Sequence, residues 1–322
     1  MSSSDPQPPS DPMTTDARPA ATTAAAASPA ATPRPQTLAV VRAAIAPLHA
    51  ESRVSSPQTS QALAGELLLV HEERGDWLLA AGTDRYRGWV HRGYVERCAV
   101  SEASPAGGRV EATVALATAP WEPASTWALT RAVNRDADRL SLGCRVRFGR
   151  GPALTLPLGA GVANGAQLVD GRAVARDELP ALFPAEPERV ASTAVEYFAG
   201  TSYQWGGVTP WGADCSGMVQ RVFALHGVSL PRDAWQQALI GDDAGRDIAA
   251  LRAGDLLFFT DRDDGRTTHV GISVGASRMV HLALGRGGYA VDRFDAEADD
   301  YAARLAGRLV ASRRVIAGSG AG

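Results

Sequence analysis

Three cysteines occur in the 322 residues, and one of them, Cys215, stands between two polar neighbours in YQWGGVTPWGADCSGMVQRVFALHG, residues 203–227. A glycine-rich loop precedes it and an apolar pattern of helical period follows. Read as a helix, Cys215 to His226 turns Met218, Val219, Val222, Phe223 and Leu225 toward a core and leaves Gly227 for a left-handed cap. Cys215 then lies in the first helical turn. Unpaired N–H groups and the positive end of the helix dipole there lower a thiol's pKa and can receive an oxyanion. The alternative is a small buried thiol at a strand-to-helix junction. Asp214 and Ser216 on either side, and the aromatic and glycine positions of YQWGGVTPWG, favour a nucleophile on a wall that a substrate backbone approaches closely.

A nucleophile needs a base. Downstream, DLLFFT, THVGISVG, RMVHLAL and YAVDRF have strand texture and are separated by glycines or charged turns. A hairpin centred near Gly275 sets His269 and His281 directly opposite each other on one face of neighbouring strands. His269 can then take the thiol proton while His281 bonds its second ring nitrogen and fixes tautomer and orientation. Such a set performs acyl transfer through a thioester at about neutral pH, without a cofactor. Two opposed histidines can instead hold a metal, but no third ligand stands at suitable spacing, so none is expected. His49, His71, His91 and His226 lack a comparable pairing and read as surface or structural positions.

These groups must be positioned by a domain that begins where the apolar period changes from two to about 3.6, at PAEPERVASTAVEYFAGT. Val190, Ala194, Tyr197 and Phe198 share a face, Pro187 and Glu188 suit a first turn, and Gly200 stops the helix. Residues 183–322 are therefore read as the catalytic domain. Residues 1–36, rich in Ala, Pro, Ser and Thr, carry too little apolar surface to offset the entropy of ordering and read as a disordered arm. Residues 37–100 hold short strand-like runs, LAVVRAAIAP, ELLLVHEERGDWLLAAG and RYRGWVHRGYV, that fit a meandering antiparallel barrel. Residues 101–182 repeat that texture more loosely, as a second, diverged barrel or a single β-rich insertion.

Charge narrows the partners. Thirty-two Lys and Arg against 35 Asp and Glu leave a net charge of −3, with no block of five or six basic residues, so neither nucleic acid nor acidic lipid is expected. The N-terminus lacks a basic segment followed by large apolar residues, and no run nears the roughly 18 apolar residues of a membrane span; the expectation is a cytoplasmic protein. Cys98 and Cys144 read as ordinary buried thiols, or as a pair in an oxidising compartment. Oligomeric state is not legible.

Gln61-Ala62-Leu63 with Glu66, Gly75-Asp76-Trp77-Leu78 and Tyr86-Arg87-Gly88-Trp89-Val90 resemble a bacterial SH3-like domain. Tyr203-Gln204-Trp205-Gly206-Gly207, Asp214-Cys215-Ser216-Gly217, Leu230-Pro231-Arg232-Asp233, Gly254-Asp255-Leu256 and His269-Val270-Gly271-Ile272 resemble, in order and spacing, the NlpC-type papain-like cell-wall cysteine peptidases. The resemblance implies an α+β fold, with a C-terminal papain-like catalytic domain preceded by two small all-β SH3-like barrels. It also implies Cys215, His269 and His281 as catalytic residues. The layout is similar to that of γ-D-glutamyl-L-diamino acid endopeptidases, which cleave murein tripeptides or tetrapeptides after D-Glu and bind a free L-Ala amine through a tyrosine and an acid. Tyr86 matches the tyrosine. Thr59 and Ser60 stand where the acid is expected, leaving Glu51 or Glu66 as substitutes. Tyr203, Asp214, Ser216 and Asp233 match substrate-contacting positions, although Asp233 can equally cap a helix, Ser216 bond within a first turn and Tyr203 pack in a core. The same thioester chemistry serves a cell-wall amidase or acyltransferase, and barrels on an inactive domain would make a non-catalytic cell-wall binding protein.

Overall fold

The computed structural model describes residues 37–64, 66–99 and 179–317, together with three short strands at 126–128, 145–146 and 173–175. The Ala/Pro-rich arm, Cys144 and most of the second expected barrel lie outside the described residues, as does the side chain of Cys98. In the N-terminal part, strands β1 (Thr37–Val41), β2 (Ile45–His49), β3 (Gln58–Leu63), β4 (Leu67–Arg74), β5 (Trp77–Ala81), β6 (Arg87–His91) and β7 (Val95–Ala99) form one sheet in the order β3-β2-β6-β5-β4-β1-β7. The expected DWLL and RGWV strands are present, paired from Trp77↔His91 to Ala81↔Arg87. Alternate residues, among them Ala39, Val41, Leu48, Leu78, Ala80 and Val90, meet in a small apolar core.

The barrel expectation fails. β3 and β7 are the two ends of this sheet and do not pair with each other, so it stays open. β8 (Thr126–Ala128), β9 (Arg145–Val146) and β10 (Ala173–Ala175) form a three-stranded sheet in the order β10-β8-β9, and it does not close either. Alternation and turn residues specify how many strands there are and which faces are apolar. Closure depends on two edges meeting in space at a definite stagger, which no local pattern encodes. The edge that closure would have used is occupied elsewhere: Gln58, Ser60 and Gln61 of β3 bond to the C-terminal region.

The C-terminal region opens with α1 (Leu179–Leu182) and α2 (Pro187–Phe198), then β11 (Val208–Thr209), β12 (Gly212–Ala213), α3 (Cys215–Leu225) and α4 (Ala234–Gln237). β13 (Asp242–Asp243), β14 (Leu256–Phe259), β15 (His269–Gly275), β16 (Arg278–Ala283), β17 (Gly288–Arg293), α5 (Asp300–Ala306) and β18 (Leu309–Arg314) follow. Strands β13 to β18 make an antiparallel sheet in the order β13-β18-β14-β15-β16-β17. α2 has Pro187 in its first turn and buries Val190, Ala194 and Phe198. α3 buries all five apolar residues expected of it and ends before Gly227, which is left-handed at φ +76°. Both helices pack on one sheet face, where Phe198, Met218, Val222 and Phe223 meet Leu256, Phe258, Val270, Ile272, Val280 and Leu282. Each such side chain contributes on the order of 1.5–3 kcal/mol. The opposite face carries Leu257, Phe259 and Met279, covered by Leu251 and by Leu305 of α5. Buried on both faces, β14 reads as the continuous apolar run LLFF rather than as an alternation. Among the described residues no helix is long and apolar enough to cross a membrane.

Candidate active site

Cys215 is the first residue of α3, and the loop before it is tied to the helix start by Asp214. As N-cap, Asp214 accepts from the Gly217 N–H at 2.7 Å through Oδ1 and from the Gly206 N–H at 2.8 Å through Oδ2. Arg232 adds Nη2 to Oδ2 at 2.6 Å and Nη1 to Oδ1 at 3.0 Å, and the Ser216 hydroxyl lies 3.3 Å from Oδ1. Asp214 and Arg232 are both buried, at 5% and 2% exposure, so this ion pair is compensated by protein donors and not by water. Backbone contact is equally close. A Cβ on Gly217 would lie 2.1 Å from the Gly207 carbonyl oxygen, and one on Gly206, at φ +72°, would lie 2.9 Å from the Gln58 carbonyl oxygen. The YQWGG and DCSG motifs thus place glycine where a loop, a helix start and β3 touch.

Helix-start bookkeeping identifies the donor left for an oxyanion. The Asp214 N–H bonds the Gly207 carbonyl, the Gly217 N–H bonds the Asp214 side chain and the Met218 N–H bonds the Asp214 carbonyl. Of the other two first-turn N–H groups, that of Ser216 is directed at the Cys215 sulfur, which leaves the Cys215 N–H for an oxyanion. The Cys215 sulfur receives hydrogen bonds from the N–H groups of Ser216 and of Val270, the residue after His269. Burial nevertheless pushes the thiol up to about 12, with the Asp214 charge adding to it, against the lowering by the Val270 and Ser216 N–H groups and Arg232. The lowered pKa expected of a helix start is therefore not found: burial and an adjacent carboxylate outweigh the dipole.

His269 and His281 share a face and touch, with Nε2 of His269 2.8 Å from Nδ1 of His281 and the rings edge-on at 70°. They are not directly opposed. The ladder runs Ile272↔Val280, Ser273↔Met279 and then Gly275↔Arg278, with a bulge before the turn. Continuing that register sets His281 across from Gly271, so the pair is a diagonal one, which an imidazole spans. Burial, then the neighbouring His281, holds the pKa of His269 well below 6.5, so its ring is neutral. His281 is fully buried, and its Nε2 lies 3.1 Å from Oδ2 of Asp292 on β17. Asp292 is bonded in turn by Arg286, Nη2 to Oδ1 at 2.7 Å. Sequence reasoning missed this acid. In YAVDRF it is one charged residue in a strand, which ordinarily marks a solvated face.

The expected substrate-contacting residues separate into two groups. Asp214 and Ser216 are spent on the protein: five donors meet the carboxylate, and the buried Ser216 hydroxyl also accepts from Arg232 Nη1 at 2.9 Å. Tyr203, Tyr86 and Asp233 are half-buried. The Tyr203 hydroxyl is raised by burial first and then by the Cys215 and Asp214 charges. Tyr86 is pushed up to about 12 by burial, with Asp233 next, and it bonds Thr59. Asp233 is half-buried at the N-cap position of α4, where its side chain makes no cap hydrogen bond. Neither proposed substitute acid joins them: Glu51 is exposed and paired with Arg53 at 2.8 Å, and Glu66 pairs with Arg221 at 3.1 Å. Trp205, 55% exposed, and Trp211 are surface rings near the nucleophile's loop and not core. Also unforeseen are the β3 bonds: Gln58 to the Trp205 carbonyl, the Gln61 side chain accepting from the Val208 N–H, and Ser60 accepting from Arg232.

Residues 200–300 match the model of the NlpC/P60 family. Over 86 residues the chain is 43% identical to the gamma-D-glutamyl-L-lysine dipeptidyl-peptidase of Bacillus subtilis (strain 168), covering 26% of this chain and 28% of that protein. It is 42% identical over 89 residues to the murein DD-endopeptidase MepS/murein LD-carboxypeptidase of Escherichia coli (strain K12), covering 27% and 45%. With dipeptidyl-peptidase 6 of Lysinibacillus sphaericus it shares 34% over 126 residues, covering 38% and 42%. The chain thus spans less than half the length of each of these relatives. The fold is similar to that of a solved NlpC/P60 family protein from Bacillus cereus ATCC 10987, with a TM-score of 0.61 and 17% identity over 87% of this chain and all of the other. The thiol at a helix start and the two bonded imidazoles on the adjoining sheet lie within residues 200–300, the segment that matches the NlpC/P60 family model.

Proposed function

We propose that the protein hydrolyses the γ-D-glutamyl–diamino acid bond of small murein peptides, L-Ala-γ-D-Glu-diaminopimelate or its Lys counterpart, in the recycling of cell-wall peptides. The observation that carries this reading is the contact of β3 and Tyr86 with the loops around the nucleophile. Gln58 and Gln61 hold Trp205 and Val208, and Tyr86 stands beside Asp233, whose carboxylate supplies the acid missing before Gln61. A nucleophile's loop held on one side by β3, with a phenol and a carboxylate in charge interaction, suits a short peptide with a free amine. The name of the Bacillus subtilis relative above, a gamma-D-glutamyl-L-lysine dipeptidyl-peptidase, points to the same bond.

In the reaction, Nδ1 of His269 takes the Cys215 proton as the sulfur attacks the γ-glutamyl carbonyl carbon, and the oxyanion is received at the N-terminus of α3. His269 returns that proton to the leaving amine of the diamino acid. Water, deprotonated by His269, then cleaves the thioester, releasing L-Ala-D-Glu and the free thiol. The test is incubation of the purified protein with L-Ala-γ-D-Glu-diaminopimelate, its N-acetylated form and intact sacculi, read by mass spectrometry. Release of diaminopimelate from the free-amine peptide alone is the expected result. Cleavage of sacculi in preference, or acyl transfer to an added amine, overturns it.

A further inference from the structure

Acyl transfer at Cys215 requires His269 to present a bare ring nitrogen to the thiol, and a neutral imidazole has two ways of placing its single hydrogen. We propose that Asp292 is a positioning residue that sets the tautomers of both histidines, making the site a four-membered chain of Cys215, His269, His281 and Asp292. This rests on the reading of Cys215 and His269 as nucleophile and base.

A carboxylate only accepts, so the 3.1 Å contact with Asp292 Oδ2 requires the hydrogen of His281 on Nε2. The Nδ1 of His281 is then a lone pair. Across the 2.8 Å contact, Nε2 of His269 must be the donor, which leaves Nδ1 of His269 bare. One acceptor at the end of the chain thus decides which nitrogen is free at the other end. Water has little access to supply a different arrangement, because His281 is fully buried and Asp292 is 6% exposed.

Arg286 keeps the end acceptor an acceptor. Its Nη2 lies 2.7 Å from Asp292 Oδ1, its Nη1 is 2.8 Å from Asp299 Oδ2, and its guanidinium stacks 4.4 Å above the Tyr301 ring. Burial works against the charge on Asp292, but the bonds from His281 and Arg286 outweigh it and hold the carboxyl below its ordinary range. Arg286 also dictates what an amide would do here. Arg286 reaches Oδ1 at 2.7 Å through Nη2 and Oδ2 only at 3.4 Å through Nε, so in Asp292→Asn the amide oxygen takes the shorter contact and the NH2 turns toward His281 Nε2. That reverses the polarity of both histidine contacts and puts the hydrogen of His269 on Nδ1, where it blocks proton uptake.

The test is 15N NMR of the histidine rings in the full chain at pH 7.5, for wild type, Asp292→Asn, Asp292→Glu and Cys215→Ala. In wild type and in Cys215→Ala both His269 and His281 are expected as Nε2–H tautomers. Asp292→Asn is expected to invert both and to lower kcat by about 10²- to 10⁴-fold, the usual value of a lost general base, with KM little changed. Asp292→Glu, which still offers an acceptor, is expected to keep the tautomers and recover part of the rate. Nδ1–H tautomers in the wild type, or an Asp292→Asn protein that retains Nε2–H on His269, overturn the proposal. The wild-type spectrum needs neither turnover nor a folded variant. Should the tautomers be as stated while Cys215→Ala still turns over peptide, the functional reading fails and the role of Asp292 in the chain stands.

Discussion

The Cys215 thiol is pushed up to about 12 and the His269 imidazole is held well below 6.5, both chiefly by burial, so the two are a neutral thiol and a neutral ring. A resting thiolate–imidazolium pair would have the opposite shifts. His269 is an unprotonated base at every pH above its depressed pKa, and the thiol keeps its proton until far above neutrality. The expected kcat/KM for a γ-glutamyl peptide is therefore level from about pH 6.5 to about 9 and falls only on the acid side of 6.5. Alkylation of Cys215 by iodoacetamide is expected to keep accelerating beyond pH 9; a plateau reached by pH 7 would contradict the neutral pair. Cys215→Ala is expected to lower turnover by at least about 10⁴-fold with an unchanged far-ultraviolet circular dichroism spectrum, because the residue anchors no cap. Cys215, His269 and His281 were picked out in the sequence because a cysteine between polar neighbours and two histidines stand out against apolar helix and strand patterns. Asp292 was not, since its meaning lies in which ring it faces across two strands, and Asp214 read as a substrate contact because nothing local reveals five donors converging on it.

At the scale of elements, the segment from Gly206 to Gly217 is a clamp made of one buried ion pair and several backbone contacts. Removing one partner of such a pair leaves the other charge buried, so Arg232→Met is expected to cost about 3–5 kcal/mol in denaturant unfolding, exposing the charge of Asp214 to an apolar setting. Gly217→Ala tests the backbone side. Its Cβ would meet a carbonyl oxygen at 2.1 Å, which cannot yield as a flexible side chain can, so the start of α3 must shift. The expected signature is a loss of kcat larger than the loss of stability, since the displaced turn carries both the thiol and its oxyanion donor. Helices α2 and α3 were legible to their stops, because a 3.6 period ending at a glycine has few other solutions, whereas the N-cap role of Asp214 on α3 was not. Strand register was legible only to the face. The bulge between Ser273 and Gly275 shifts the ladder by one residue, so that His281 falls across from Gly271 instead of Ile272 and therefore on the same face as His269.

For the whole molecule, the strand that would have closed an N-terminal barrel instead carries bonds to the catalytic region, through Gln58, Ser60 and Gln61, while Asp84 and Glu66 reach Gln220 and Arg221 of α3. An open sheet edge is a liability unless covered, and here the site's own loops cover it. Titration of the buried groups then bounds the stability of the assembly from both sides. On the acid side, His269 refuses in the folded state a proton that the unfolded chain accepts below pH 6.5, so stability is expected to decline as the pH falls through that value. On the alkaline side, Cys215 and Tyr86, both raised to about 12, and Tyr203, raised further, retain protons that the unfolded chain releases above 9 to 10, so stability declines again as pH rises. Calorimetric Tm is therefore expected to be highest between about 6.5 and 9. The thiol's share is separable: held protonated in the folded chain well above its ordinary 9.0, it removes on the order of 1 kcal/mol by pH 10. Cys215→Ala lacks that proton and is expected to lose correspondingly less stability between pH 8 and 10 than the wild type does. Parallel curves for the two proteins over that interval would show that the thiol is not held protonated by the fold, and would restore the thiolate at the start of α3.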